Sequence, residues 1–382
     1  MCPGNIGSPV DGGFNAELPA DPDTSVVAGP DLPVRVHLVL GQDGAHEMTV
    51  VWETLAATVG GRVEVGAGSE ALVWTLSAES YVLGSARLHV ARICGLTAGQ
   101  VWRYRVGSDA GWSELGSFAT APEAGTDAPV RFAVLGDSRD GEETFAALLT
   151  QVEAAGVDFL LFTGDAVASG SSWSQWTEWF DAGAHAFPDL PIAFVPGNHE
   201  FNDQMWFGLF PTHTRLGHQD IDFGPVHLAL VNDTEGSGST MEAEAAWLAS
   251  DLAGASAPWV VAAWHKPAIS SCKPHGEDPE TTEWFLPVVE AAGNVAMVVN
   301  GHNHNYERSV PLLAGVEDAA GVVHIVSGGA GAPLYTSSYG RDYTVVEAKS
   351  QHWLLVEADG RTLHATAYDL VGNVLDDFVL TR

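Results

Sequence analysis

Six side chains able to bind a metal fall in five short loops: Asp137 in 136–139, Asp165 in 164–165, Asn198 in 197–200, His265 in 265–267, and His302 with His304 in 301–304. Each loop closes an apolar run: 130–135, 157–162, 192–195, 260–264 and 295–300. Short apolar runs alternating with helical patterns read as buried parallel strands. Open α/β sheets gather ligands at the carboxyl ends of such strands, so these side chains are expected along one edge. Carboxylate, amide and imidazole together are the donors of an oxygen and nitrogen metal site. A single Asp after a glycine usually caps a turn. Two carboxylates in one dry pocket repel each other unless cations neutralise them, and here histidines and an Asn join them. His302 and His304, two apart, face one way in a strand but reach different ions in a loop.

Elements of two kinds must hold these loops. Residues 31–120 read as all-β, with strands at 34–40, 47–54, 62–66, 71–76, 86–93, 100–106 and 114–120. Short alternating strands with turns between them predict a sandwich. From 130 onward strands alternate with helices expected at 142–155, 172–180, 203–210, 240–252 and 279–292. The helix at 240–252 is read as capped by Thr240, with Ala243, Trp247 and Leu248 inward. Strands at 322–326, 343–347, 353–357 and 362–369 point to a second sheet packed on the first, giving an α/β/β/α four-layer sandwich. The expected parsing is a disordered tail over 1–30, the β-sandwich over 31–120, a linker over 121–129 and the site-bearing domain over 130–382.

The chain has 382 residues and a formal charge of -33, from 49 acidic and 16 Lys or Arg residues. A surface this acidic repels nucleic acid and anionic membranes, so no nucleic-acid partner is expected. A phosphate substrate would need positive charge supplied locally. No apolar run is long enough to span a membrane. Cys2, Cys94 and Cys272 are the only cysteines; with no CxxC pair they give no support to a thiolate zinc site and allow at most one disulfide, and Cys94, near the end of an expected strand, is expected to be buried. The Gly/Pro/Asp-rich start after Met1-Cys2 is read as that of an exported chain whose signal is gone, periplasmic, cell-surface or extracellular, with Cys2 as a lipid-anchor candidate.

Two stretches resemble known families. Residues 88–106, with the Gly95-Leu96-Thr97-Ala98-Gly99 turn and aromatic alternation after it, resemble a fibronectin type III domain. The loops from Asp137 to Gly301-His302-Asn303-His304-Asn305-Tyr306-Glu307-Arg308 resemble, in order, the calcineurin-like metallophosphoesterases and within them the purple acid phosphatases. That resemblance implies two divalent or mixed-valence ions, manganese, zinc or iron. Asp165 would bridge them, Asp137 and His304 would complete one set, and Asn198, His265 and His302 the other. His199 would contact the phosphoryl group and protonate the leaving group. His275, ten residues after His265, would be a second substrate histidine; its alternative reading is a solvated loop residue.

Two departures stand out. Three residues after the bridging Asp, where the family has the Tyr responsible for purple colour, this chain has Ala168. Two residues after Asp137, where many relatives carry a metal-binding His, it has Arg139. A guanidinium stays protonated and cannot ligate a metal. Arg139 either binds substrate phosphate or pairs with Asp140 or Glu142. The function these features imply is hydrolysis of phosphomonoesters by in-line attack of an activated hydroxide. The alternatives are a phosphodiesterase acting on nucleotides or phospholipid head groups and, further off, a non-catalytic extracellular binding protein. The oligomeric state is not legible.

Overall fold

The computed structural model describes residues 32–382, apart from 56, 69–70, 84–85, 202, 213, 215 and 235–237. The tail expected over 1–30, with Cys2, lies outside the described residues.

The amino-terminal part is two β-leaves. One is formed by Val34–Leu40, Glu47–Leu55, Ala86–Cys94 and Glu79–Leu83; the other by Trp74–Ser77, Arg62–Ala67 and Val101–Ser108, with Gly111–Trp112 and Gly116–Ala119 beside it. Alternation explains the packing. In Arg62–Ala67 the residues Val63 and Val65 are buried while Arg62 and Glu64 reach outward. Glu79–Leu83 and Gly111–Trp112 go beyond the strands expected from sequence. Glu79–Leu83 is a mostly exposed edge strand, with only Leu83 buried, so it carries little alternation to read.

The first leaf does not end at the domain border. Val34–Leu40 pairs in parallel with Ile192–Phe194, Val39 opposite Ile192. One ten-stranded sheet therefore runs from Val374–Thr381 through Thr362–Asp369, His352–Ala358, Val130–Leu135, Phe159–Phe162 and Ile192–Phe194 into the amino-terminal leaf. A seven-stranded sheet lies against it, in the order Gln219–Phe223, Val226–Leu230, Trp259–Ala263, Val295–Asn300, Val323–Ser327, Tyr306–Ser309, Thr344–Ala348. The carboxyl-terminal strands thus divide between the two sheets.

The core between the sheets is apolar and closely packed. Phe132 stacks on Phe159 at 4.9 Å, and Phe159 meets Phe223 of the other sheet at 4.7 Å. Helices Glu142–Ala155 and Trp173–Ala182 cover the outer face of the first sheet with Phe145, Leu148, Leu149, Trp176, Trp179 and Phe180. Helix Gly238–Gly254 and the pair Pro279–Trp284 and Leu286–Ala292 cover the second. The layers are α/β/β/α, as expected from sequence.

Three local expectations are corrected. The helix expected over 279–292 breaks at Phe285 because Pro287 has no N–H to return to the preceding turn. The next helix upstream begins at Gly238, so Thr240 lies inside it. Its buried face is Met241, Glu244, Ala245, Leu248 and Leu252, and Ala243 is exposed. Cys94, expected to be buried, is half-buried. It is disulfide-bonded, whereas Cys272 is a free, buried thiol, which excludes a bridge between the two.

Candidate metal centre

The strand-end loops meet where their glycines let the backbones close up. A Cβ on Gly197 would lie 2.2 Å from Asp165 Oδ1, and one on Gly301 2.5 Å from Asp137 Oδ2. Asp137, Asp165 and His302 all have left-handed backbones, with φ of 60°, 56° and 66°. Asp tolerates that region better than most residues, and such conformations persist where the surroundings over-determine them. Here Asp137 Oδ2 accepts the backbone N–H of His302 at 2.8 Å, tying the first loop to the last.

Hydrogen bonds fix which imidazole nitrogen faces inward. His265 Nδ1 donates to the Thr163 carbonyl at 2.8 Å, so its Nε2 points at Asn198 Oδ1, 3.1 Å away, and Asp165 Oδ1, 3.4 Å away. His304 Nδ1 donates to the Pro333 carbonyl at 2.7 Å, leaving Nε2 3.5 Å from Asp137 Oδ1. That oxygen is buried and has no hydrogen-bond partner. Carbonyl contacts of this kind set the tautomer of metal-binding histidines. The donor atoms of Asp165, His265 and His302 lie within 4.8 Å of one another.

The electrostatics call for a cation. Burial opposes a proton on His265, but the Asp165 carboxylate outweighs it and holds the pKa up at about 10. Burial pushes His302 down to about 2, so it offers a neutral imidazole. Burial raises the Asp137 carboxyl, partly offset by His304 and His265. An acceptor-rich, buried set with an orphaned carboxylate oxygen fits a divalent ion. Asp165, His265 and His302 form one such cluster.

The remaining expected residues surround it. The His199 N–H donates to Asp165 Oδ1 at 2.9 Å, and its Nδ1 donates to the Ala168 carbonyl at 2.8 Å. Its Nε2 then stands 3.8 Å from Asp165 Oδ2. Arg139 Nε is also 3.8 Å from Asp165 Oδ2, while Nη1 reaches Asp140 Oδ2 at 3.2 Å. The expected pairing with Asp140 is thus present, and the Nε end of the guanidinium faces the Asp165 carboxylate. His275 is exposed at the rim, its ring 4.5 Å from that of His302 and its Nε2 3.1 Å from the Tyr335 hydroxyl. Lys273 sits over the Tyr339 ring at 4.6 Å. Trp206 and Phe210 are buried in the aromatic core, as packing residues.

Sequence reasoning overlooked three supports. Glu200 is fully buried and accepts N–H groups from Asp165, Ala166 and Gly197. Asp233 accepts the Lys266 N–H at 2.5 Å and the His265 N–H at 3.4 Å. Burial raises its pKa to about 6. It follows the strand Val226–Leu230 by three residues, the strand-end signal that identified Asp137 and Asp165. Tyr335 stacks on His304 at 4.3 Å; nothing in its sequence neighbourhood marked it.

Comparison with known proteins gives the same picture. Residues 130–306 match the calcineurin-like phosphoesterase family, and residues 33–120 match the purple acid phosphatase N-terminal domain. An uncharacterized protein of Mycobacterium tuberculosis is 25% identical over 374 residues, covering 79% of this chain and 70% of that protein. Purple acid phosphatase 21 of Arabidopsis thaliana is 26% identical over 325 residues, covering 78% of this chain and 71% of that protein. The structure of purple acid phosphatase PPD1 from yellow lupin (Lupinus luteus) seeds superposes with a TM-score of 0.78 at 19% identity, covering 93% of this chain and 75% of that one.

Proposed function

The chain belongs to the calcineurin-like phosphoesterases, in their purple-acid-phosphatase-like branch, and hydrolyses phosphate esters with bound metal; we propose that its substrates are phosphomonoesters and that two ions act together. One observation carries this reading. The Asp165 carboxylate has Oδ1 beside His265 Nε2, and Oδ2 beside the side chains of His199 and Arg139. Ligand donors and substrate-directed groups stand at the two oxygens of one carboxylate.

In this reading Asp165 is shared between the ions. Asp137 and His304 complete one donor set, and Asn198, His265 and His302 the other. Bound ions, for which manganese, zinc and iron all suit these donors, would neutralise phosphoryl charge and acidify a water for in-line attack. His199, its Nδ1 committed to Ala168, keeps Nε2 free to hold the proton that leaves with the alcohol. Arg139 offers a planar fork to phosphoryl oxygens. His275 lies at the rim, where burial, followed by the charge of His304, lowers its pKa; it would meet the leaving group there. A terminal phosphate carries more charge than a diester, and Arg139 is the fixed cation that answers it. With Ala168 in the family's tyrosine position, no phenolate joins the donors, and iron-loaded protein is expected to lack purple colour. An exported setting accords with the disulfide at Cys94.

The test is phosphate release from an aryl phosphate and an aryl diester, beside His199→Ala and Arg139→Ala. With Mn²⁺ in saturating excess, monoester turnover that falls in both variants is the expected result. Turnover of the diester alone would overturn the monoester reading.

A further inference from the structure

The two oxygens of the Asp165 carboxylate keep different company. Oδ1 is 3.4 Å from His265 Nε2, which in turn faces Asn198, in the half of the site where donors already converge. Oδ2 has Arg139 Nε at 3.8 Å. The arginine is held there: its backbone N–H donates to the Asp165 carbonyl at 3.2 Å, and its side chain is 18% exposed. Its Nε is buried without a hydrogen-bond partner. The outer end meets Asp140, whose side chain is 58% exposed and so screened by water. Arg139 follows Asp137 by two residues in the same loop, and its guanidinium stands at the Asp165 oxygen that does not face His265.

We propose that Arg139 makes the two metal half-sites unequal: the half built by Asp165, Asn198, His265 and His302 holds its ion firmly, and the half built by Asp137 and His304 takes a second ion only at high metal concentration. The inference rests on the two-ion reading above and adds the cause of the asymmetry. A second divalent ion at Asp137 and His304 must share Asp165 with a fixed positive charge a few ångströms away, and a guanidinium cannot deprotonate to make room. The same position gives it no donor in return. Hydrolysis would then follow the supply of the weakly held ion.

Ion binding reads this out without any turnover. Full-length protein is stripped with chelator and titrated with Mn²⁺ by calorimetry, and ions retained after desalting are counted by mass spectrometry. Wild type is expected to keep about one ion, with the second bound at least about a hundredfold more weakly. Arg139→Ala should narrow that gap to less than about tenfold, whereas Arg139→Lys, which keeps the charge, should preserve it. His304→Ala should abolish only the weak event. Circular dichroism checks that each variant is folded. Two ions of similar affinity in wild type, or an unchanged gap in Arg139→Ala, would overturn the asymmetry. Folded wild type that binds no ion would overturn the two-ion reading itself, which is a different result.

Discussion

Glu200 accepts the backbone N–H of Asp165 at 2.8 Å from a carboxylate with no exposure to solvent. The same side chain holds Ala166 at 2.9 Å and Gly197 at 2.5 Å. It therefore clamps the Asp165 loop to the Asn198 loop through backbone N–H groups alone. Glu200→Ala would leave these donors buried and unpaired, a loss of about 3–6 kcal/mol at 1–2 kcal/mol each. Thermal unfolding should show it, together with weaker metal retention. Glu200→Gln, which keeps one acceptor oxygen, should lose less on both counts.

His199 is oriented by the Ala168 carbonyl and lies outside the donor cluster. His199→Ala should lower kcat by about 10²–10⁴, the span of one general acid, with ion content unchanged. A variant that loses its ions as well would assign His199 to the metal instead.

The main features of the site were legible in sequence because strand ends and glycines are local signals. Asp137, Asp165, Asn198, His265, His302 and His304 each follow an apolar run, and parallel sheets put such positions together. What escaped was set by partners far along the chain. The pairing of Val39 with Ile192, which fuses the two halves into one sheet, spans more than a hundred residues and leaves no periodicity behind. Glu244 reads as a solvent-facing helix charge, yet it is buried, 3.0 Å from His218. Asp233 also follows an apolar strand, but Asn232 stands where Asp137 and Asp165 have a preceding glycine, so its local signal is weaker. The left-handed backbones of Asp137 and Asp165 are imposed by the closing loops, and residue type alone does not announce them.

Stability should fall with rising pH through His227. Burial disfavours its charge, but Asp222 at 2.8 Å and Asp251 at 3.0 Å outweigh burial and raise its pKa to about 9. The unfolded value is near 6.5. The folded chain holds this proton more tightly, so the contribution is complete below the unfolded value and is lost as pH climbs towards 9. Over that window denaturant midpoints should drop by the equivalent of up to about 3 kcal/mol. His227→Gln should flatten this slope; an unchanged slope would remove His227 from the account.

Asp376, nearly buried on the last strand, takes Arg308 Nε at 2.6 Å, Arg308 Nη2 at 3.0 Å and the Tyr306 hydroxyl at 2.8 Å. Tyr306 and Arg308 follow the His304 loop in the second sheet, while Asp376 belongs to the first. The network is a polar bolt between the sheets. Asp376→Ala should cost about 3–5 kcal/mol, the usual loss when one member of a buried pair is removed. Chemical denaturation measures it. Metal affinity should stay near wild type, since no donor atom moves.

The most direct test of the whole account is phosphate release from an aryl phosphate by chelator-stripped protein, before and after Mn²⁺ is returned, with Asp165→Asn alongside. The account predicts no release from stripped wild type, recovery as the ion is restored, and no recovery in Asp165→Asn, whose amide bridges two cations poorly. Full activity in stripped protein, or an Asp165→Asn variant that recovers like wild type, would contradict it.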